Sequence, residues 1–322
     1  MVGGKSLRVA VDSGFHRALS TIIDSQLTTM LAGVILYQFG SGPVKGFALT
    51  LMIGIVVSVM TAVVVTQFLI KTMVETKSLA KLKLFGFDKP RFQFQKEFNF
   101  IKYRKIFYLI AVALIVAGIG TGMLRGFNWG IDFTGGTMMQ FEMGKRVQVA
   151  DVEKILKDND IDGTIVHAGE GNTQIIIKTT QSLENEERNI LFEDIYETFG
   201  IGESNLLAVE QFSASVGSLL KMNAFKALLI ATIGMLVYII IRFEWKFGIA
   251  AVASLIHDVL IMIAFYGFFH IPINNPFIAA ILTIIGYSVN DTIVIFDRIR
   301  ENLKIMRKTK MEELIDKSIN QT

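Results

Sequence analysis

Six apolar segments, each close to the length of a membrane-spanning helix, dominate this sequence of 322 residues. A spanning helix needs about 20 mostly apolar residues. The segments are residues 21–39, 47–70, 106–124, 224–241, 247–269 and 276–296. Only 19% of the residues are charged, which is below the usual share of about 25% in soluble domains. The sequence therefore predicts an all-α helical membrane bundle of about six transmembrane helices.

The first segment is the least apolar, because Asp24, Gln26, Thr28 and Thr29 lie in its first turns. An interfacial helix is the alternative interpretation. We interpret the segment as spanning, since only a short turn at residues 40–46 joins it to the next one.

Lys and Arg residues concentrate in two stretches, residues 71–105 and residues 298–310, and also flank the loop between the fourth and fifth segments at Arg242 and Lys246. Cytoplasmic loops carry an excess of these residues. With six helices, all three stretches fall on one side, which predicts that both termini are cytoplasmic. Contact with anionic lipid explains the basic linker better than contact with RNA, so we expect a lipid bilayer partner and no nucleic acid.

Residues 125–222 form an acidic, less apolar region that this topology places outside the cytoplasm. Periodicity predicts strand, helix, strand, strand, helix and strand in that order. The predicted elements are residues 137–141, 150–158, 164–167, 173–178, 183–199 and 206–212. This order is typical of a split-βαβ, ferredoxin-like α+β domain. We attribute its acidity to solvation, with a cation site as the alternative.

Features of an enzyme are missing from the sequence. There is no cysteine, and the four His residues are scattered without a ligand spacing. No nucleophile stands beside a base, and no nucleotide-binding loop faces the cytoplasm. We therefore expect no enzymatic activity, no metal and no cofactor.

Asp291 lies within the sixth apolar segment, in the sequence GYSVNDT at residues 286–292. A charged side chain at the centre of a spanning helix costs about 2.5–3.5 kcal/mol on insertion scales, so its presence requires a reason. Steps of four residues place Thr283, Tyr287 and Asp291 on one stripe, which must face protein or a water-filled path. The other polar residues near Asp291 are Ser288, Asn290 and Thr292. We interpret Asp291 as a proton or sodium carrier, the alternative being a buried acid that joins helices by hydrogen bonds.

Asp258 is a second acid within an apolar segment, beside His257 and one turn after Ser254. For this residue, we favour the structural role of joining helices.

The sequence GIDFTGG at residues 130–136 contains Gly130, Asp132, Gly135 and Gly136. It lacks the Lys-Ser/Thr of a phosphate-binding loop and leads into a predicted strand. We interpret it as a structural turn with an Asx-type cap.

These motifs together carry a family resemblance. GIDFTGG, the acidic domain and GYSVNDTIVIFDRIR at residues 286–300 resemble SecF, while residues 14–46 and the following helix resemble the last two helices of SecD. The chain therefore resembles the SecD/SecF protein-export membrane proteins of the resistance-nodulation-division superfamily over nearly its whole length.

This resemblance implies a protein of the bacterial inner membrane that works with the SecYEG channel and the YidC insertase on preprotein substrates. It implies use of a proton or sodium gradient, with Asp291 matching the ion-carrying acid of the SecF half. Two alternatives are a small-molecule or lipid transporter of the same superfamily, against which the single exported domain argues, and a passive scaffold of the translocon.

The resemblance also divides the chain. Residues 1–70 correspond to the end of SecD, 71–105 to a basic linker and 106–124 to the first SecF helix. Residues 125–222 are the exported domain, 223–297 three further SecF helices and 298–322 a cytoplasmic amphipathic segment. The paired acid of the SecD half, its large periplasmic domain and two last SecF helices are expected in a missing remainder of SecD/SecF, as if the chain were cut at both ends.

Overall fold

A computed structural model describes residues 7–41, 43–76 and 97–322. Within these ranges, six helices are long and apolar enough to cross a membrane, which confirms the predicted number. These spans are Leu7–Phe39, Val44–Glu75, Phe100–Arg125, Ala214–Arg242, Trp245–Phe269 and Asn275–Ile305. Most of the basic linker predicted at residues 71–105 lies outside the described residues.

The first two spans form a hairpin. Helix α1 (Leu7–Phe39) is followed by α2 (Pro43–Met60), which continues through one π-helical turn (Thr61–Val65) into α3 (Thr66–Glu75). Ion pairs join the far ends of this hairpin, Arg8 to Glu75 at 3.1 Å and Lys71 to Asp12 at 2.9 Å. Helix α1 therefore begins well before the predicted residue 21, because its first turns contain charged residues that hydropathy does not count as part of a span.

Helix α1 packs against two later helices, α8 (Ala214–Arg242) and α10 (Asn275–Ile305). Its polar residues Asp24, Ser25, Thr28 and Thr29 are all buried there. Since these side chains face protein, their polarity does not argue against a spanning helix. Their burial also explains why the segment has a lower hydropathy than the other spans. The shared core includes Ala32, Leu36, Ala231, Met235, Leu282 and Ile285.

Helix α4 (Phe100–Arg125) joins the bundle through small residues that meet α9 (Trp245–Phe269). A Cβ added to Gly118 would lie 2.2 Å from the Ala264 carbonyl oxygen, and one added to Gly122 would lie 3.1 Å from the Gly267 Cα. Small residues allow such close backbone approach, which favours helix association in membranes. The remaining surface of α4 is apolar and exposed.

A small α+β unit is inserted between α4 and α8. It consists of a one-turn helix α5 (Ile131–Thr134), then β1 (Gly136–Glu142), α6 (Val149–Asp158), β2 (Gly163–Ala168), β3 (Gln174–Thr179), α7 (Asn185–Phe199) and β4 (Leu206–Phe212). The four-stranded sheet has the order β2-β3-β1-β4, and all its pairs are antiparallel. Each of the six predicted elements is present within two residues of its predicted bounds.

One face of this sheet carries the core of the α+β unit. Met139, Phe141, Ile175 and Ile177 alternate along β1 and β3 and are fully buried against α6 and α7. On α7, Phe192 and Tyr196 pack edge-on against the Phe141 ring. Side chains of period two on the strands therefore meet the apolar faces of the two helices.

The last helix, α11 (Met311–Gln321), lies against α10 and the start of α4. Buried Asn302 donates to Ser318 at 2.9 Å, and Asp316 accepts the Ile101 amide at 2.9 Å. Helix α11 therefore holds the beginning of α4 next to the end of α10.

The α4–α9 contact allows a direct test of the small-residue seam. We expect Gly118→Ala to destabilise the protein by about 1–3 kcal/mol, since the added methyl group must displace backbone. Thermal unfolding in detergent measures the effect. Gly120→Ala is the matched control, because a Cβ there meets nothing within 4 Å. Equal melting temperatures of the two variants would contradict the close packing of α4 against α9 at Gly118.

Candidate functional site

The GIDFTGG segment binds the N-terminus of α10 rather than capping its own turn. Asp132 Oδ2 accepts the Asn275 backbone N–H at 2.8 Å, and the Gly130 N–H donates to the Ile273 carbonyl at 2.7 Å. The expectation of an Asx-type cap within residues 130–136 was therefore wrong. The acceptor and donor are 143 positions apart, and local sequence carries no signal for such a contact.

This contact completes the N-terminus of α10. The first N–H groups of a helix lack partners within it. Here Asp132 takes the Asn275 amide, Pro276 has no N–H, and the Asn274 side chain accepts the Phe277 amide at 3.2 Å. A carboxylate at this position also interacts favourably with the helix dipole.

The glycines of the segment permit close backbone approach. A Cβ on Gly136, whose φ is +140°, would lie 2.1 Å from the Thr179 carbonyl oxygen. A Cβ on Gly135, whose φ is +83°, would lie 2.9 Å from the Ala214 nitrogen. Gly130 is equally tight, at 3.0 Å from the Ile273 carbonyl oxygen. The segment is thus held between the sheet, α8 and α10.

Asp291 lies near the middle of α10 with its side chain exposed. Tyr287, one turn earlier on the predicted stripe, is 55% exposed, while Thr283 donates to the carbonyl of Ala279 on its own helix. Within the described residues, Asp291 has no hydrogen-bond or ion-pair partner. Tyr287 and Asp291 of this stripe are therefore exposed, and the alternative of a helix-joining acid finds no partner for Asp291 within the described residues.

Asp258 has the contacts that a helix-joining role requires. Its Oδ2 accepts a short hydrogen bond from Ser288 Oγ of α10, and its Oδ1 lies 2.9 Å from His257 Nδ1. Of the other polar residues near Asp291, Thr292 donates to the Ser288 carbonyl and Asn290 is half-buried. The sequence thus places two acids in spanning helices, and the structure gives a partner on another helix to one of them.

A third acid, Asp24, was treated by sequence reasoning only as a polar residue in a weak span. It is 9% exposed, and its two oxygens accept hydrogen bonds from Tyr238 Oη at 2.8 Å and Arg242 Nε at 2.6 Å. Ser20 Oγ accepts from Arg242 Nη2. Ser20 and Asp24 are four residues apart and share a helix face, as do Tyr238 and Arg242. This spacing is the feature of the sequence that could have indicated a polar face on each of the two helices.

A cavity of about 730 Å³, which we call the vestibule, opens at the end of the bundle away from the α+β unit. Ser20, Thr21 and Arg242 line it together with Val294, Asp297 and the last turns of α10. Val294 lies one helical turn from Asp291. The vestibule therefore brings space for water close to the acid of α10.

Acidic groups of the α+β unit do not assemble into a metal site. The part of the chain that the structure describes contains no group of three candidate metal ligands. Glu142 instead accepts from the Gln174 amide at 2.8 Å, which together with Thr173 and the Gly144 N–H lowers the pKa of the Glu142 carboxyl. His167 is likewise engaged, with Nε2 2.8 Å from the Val147 carbonyl.

Two family descriptions match the chain. The description "Protein export membrane protein SecD/SecF, C-terminal" matches residues 4–76 and 192–322, and "SecD/SecF GG Motif" matches residues 124–145. The second match contains the segment that holds α10.

Similar proteins include the protein translocase subunit SecDF of Bacillus subtilis, which is 36% identical over 99% of this chain and 45% of its own length. The SecF subunit of Sebaldella termitidis is 39% identical over 70% of this chain and 73% of its own length. The crystal structure of SecDF from Thermus thermophilus, described as a translocon-associated membrane protein, superposes with a TM-score of 0.82 at 32% identity, covering 99% of this chain and 43% of that one. The chain spans less than half the length of the SecDF relatives that it matches.

The fold and site define a multi-pass helical membrane protein with one small α+β unit anchored on a helix that carries an acid within its span. The matched regions cover more than half of the chain. The chain belongs to the SecD/SecF family of protein-export membrane proteins.

The contact between Asp132 and α10 can be tested by removing the acceptor. We expect Asp132→Ala to cost about 1 kcal/mol, as for other losses at helix N-termini, and to speed hydrogen exchange at the Asn275 amide. Asp132→Asn keeps an acceptor oxygen and should have the smaller effect. Exchange at Asn275 that is unchanged in Asp132→Ala would show that the hydrogen bond is absent in the membrane.

The contact between Asp258 and Ser288 yields a second prediction. Interhelical hydrogen bonds in membranes contribute about 0.6 kcal/mol on average and up to about 1.7. We expect Asp258→Ala and Ser288→Ala each to destabilise the protein within this range, and the double variant to cost less than their sum. Unfolding titrations in detergent measure the coupling. Strict additivity of the two effects would mean that the side chains do not interact.

Proposed function

We propose that this chain is an ion-coupled component of the Sec protein-export machinery. It uses the proton or sodium gradient across the bacterial inner membrane to help preproteins through the SecYEG channel, in association with YidC. Membership of the SecD/SecF family supports this proposal, as do the printed names of its relatives, which describe translocase subunits. In this proposal the chain is not an enzyme and requires no cofactor.

The proposed orientation places both termini and the vestibule in the cytoplasm. The excess of Lys and Arg near the end of α10 and in the linker before α4 supports it. The α+β unit then lies on the extracytoplasmic side. We further propose that this unit is a ferredoxin-like domain, which its βαββαβ order and the strand order β2-β3-β1-β4 support.

Asp291 is the proposed ion carrier, and the observation that carries this assignment is its exposed position on α10 without a partner among the described residues. Lipid offers an acid no hydrogen bonds, so this face must meet further protein or water. Binding and release of one cation across about 100 mV is worth about 2.3 kcal/mol, enough to shift a two-state equilibrium more than tenfold.

Helix α10 provides the link from the ion to the exported side. Asn275 and Asp291 are 16 residues apart, which corresponds to about 24 Å along one continuous helix. Asp132 holds the Asn275 end and belongs to the segment that leads into β1. A tilt or shift of α10 on charging of Asp291 would therefore move the base of the α+β unit.

Neutralising Asp291 tests the proposal. We expect Asp291→Asn, in the translocase as the cell makes it, to reduce gradient-dependent preprotein transport in inverted membrane vesicles to the level seen with an uncoupler. The protein should accumulate and unfold normally, because Asp291 has no partner to lose among the described helices.

Asp258→Asn is the matched control, since it also neutralises an acid within a span but keeps an acceptor for Ser288. It should retain gradient dependence. Full gradient-dependent transport by Asp291→Asn would overturn the carrier role. Transport by the unaltered protein that is indifferent to the gradient would favour the passive scaffold.

A further inference from the structure

The guanidinium of Arg242 lies in the wall of the vestibule and donates hydrogen bonds to two side chains. Nε donates to Asp24 at 2.6 Å, Nη2 donates to Ser20, and the Tyr238 hydroxyl shares the Asp24 carboxylate from one turn earlier. A guanidinium stays charged under all cellular conditions. The charge at this part of the vestibule therefore depends on the nearby carboxylates, of which Asp24 is hydrogen-bonded to the guanidinium and Asp297 acts on it from a greater distance.

The vestibule reaches the turn of α10 that follows Asp291. Its wall on α10 consists of Val294, Asp297, Arg298, Arg300, Glu301, Lys304 and Ile305. Val294 is the innermost of these, one turn from the acid. A cation that reaches Asp291 by way of the vestibule would therefore cross the field of Arg242.

The remaining charges of the vestibule are arranged in pairs. Arg298 binds Glu301 at 2.9 Å, and Arg300 lies 3.6 Å from Asp297, whose other oxygen accepts from Thr21 at 2.9 Å. Lys304 lies nearer the end of α10, toward the open end. At the inner end the only countercharge that contacts Arg242 within the described residues is Asp24.

We propose that Asp24 and Arg242 set the charge selectivity of the vestibule, with Asp24 as the counter-ion that keeps its inner end open to cations on their way to or from Asp291. Asp24 and Arg242 are thus positioning residues of the ion path that act without binding the ion. This inference rests on the orientation and on the ion-carrying role of Asp291 proposed above.

The largely buried ion pair between Asp24 and Arg242 is not explained by a contribution to the stability of the fold. The cost of removing two charges from water often equals their attraction, and an apolar pair would join α1 to α8 as well. Because Arg242 lies in the wall of a cavity with room for water, the pair can have a role that an apolar contact could not fill.

Charged thiol reagents measure this selectivity directly, because these 322 residues contain no cysteine of their own; vesicles with the unsubstituted protein give the background from other thiols. Val294→Cys places a thiol at the inner end of the vestibule. We expect cationic and anionic methanethiosulfonates to modify it from the cytoplasmic face of inverted vesicles. The ratio of the two rates reports the local potential, because a changed thiol pKa affects both reagents equally. Val237→Cys on the outward surface of α8 is the control that should resist both.

Adding Asp24→Asn to the Val294→Cys variant leaves Arg242 uncompensated, and we expect the cation-to-anion rate ratio at the introduced thiol to fall at least about tenfold. Adding Arg242→Gln to Asp24→Asn removes both charges and should return the ratio to near its original value. Adding Ser20→Asp instead supplies a new carboxylate to the same guanidinium and should also restore it. If Asp24→Asn alone does not accumulate, Arg242→Gln in the Val294→Cys variant keeps the test decisive, because it leaves the Asp24 carboxylate uncompensated and should raise the ratio above its original value.

The proposal is overturned if the thiol of the Val294→Cys variant resists both reagents from the cytoplasmic face, or if the rate ratio is the same in all variants. Either result would leave the carrier role of Asp291 standing, since that role is tested by gradient-dependent transport. Conversely, full gradient-dependent transport by Asp291→Asn would overturn the carrier role without affecting the ratios measured in the Asp24 and Arg242 variants. If transport falls in Asp24→Asn and recovers in Asp24→Asn/Arg242→Gln, the result would show that the charge selectivity of the vestibule affects ion-coupled transport, and it would support both proposals.

Discussion

A bilayer offers no water to polar groups, and the helix arrangement of this protein follows from that single constraint. Asp24 is surrounded by Arg242 and Tyr238, and Asp258 receives a hydrogen bond from Ser288. Helix hydroxyls such as Thr283 donate to carbonyls of their own helix. The contacts of Asp24 and Asp258 each bring one helix face against another, so polar residues, and not apolar ones alone, decide which helices are neighbours.

Helix α10 collects more of these contacts than one span would need. Its N-terminus is held by Asp132, its middle by Asp258 through Ser288, and its end by Thr21 through Asp297 and by α11 through Asn302. The α+β unit, α9, α1 and α11 therefore all contact the same helix. A displacement of α10 would change the contacts of each of these elements.

Hydropathy predicted the six spans and periodicity predicted the six elements of the α+β unit, because both signals are local. The ends of α1 and α10 were set too short, since charged residues such as Asp12 and Arg298 continue a helix that hydropathy no longer detects. Asp291 and Asp258 stood out as acids in apolar runs, whereas Asp24 was hidden in a semipolar segment. The partners Asp132–Asn275 and Asp24–Arg242 are 143 and 218 positions apart, a separation at which one sequence holds no signal.

The π-turn at Thr61–Val65 has a consequence for how the length of the second span can vary. A π-turn holds one residue more than an α-turn, and both the backbone N–H and Oγ1 of Thr66 donate to the Thr61 carbonyl across it. Because the wider turn absorbs the rotation of about 100° that one more residue would add to an α-helix, removing one residue there would restore regular α-helix and leave the following residues in nearly the same register. Lys71 and Glu75 would then still face Asp12 and Arg8. Among homologues, single-residue deletions in this turn should therefore retain both ion pairs.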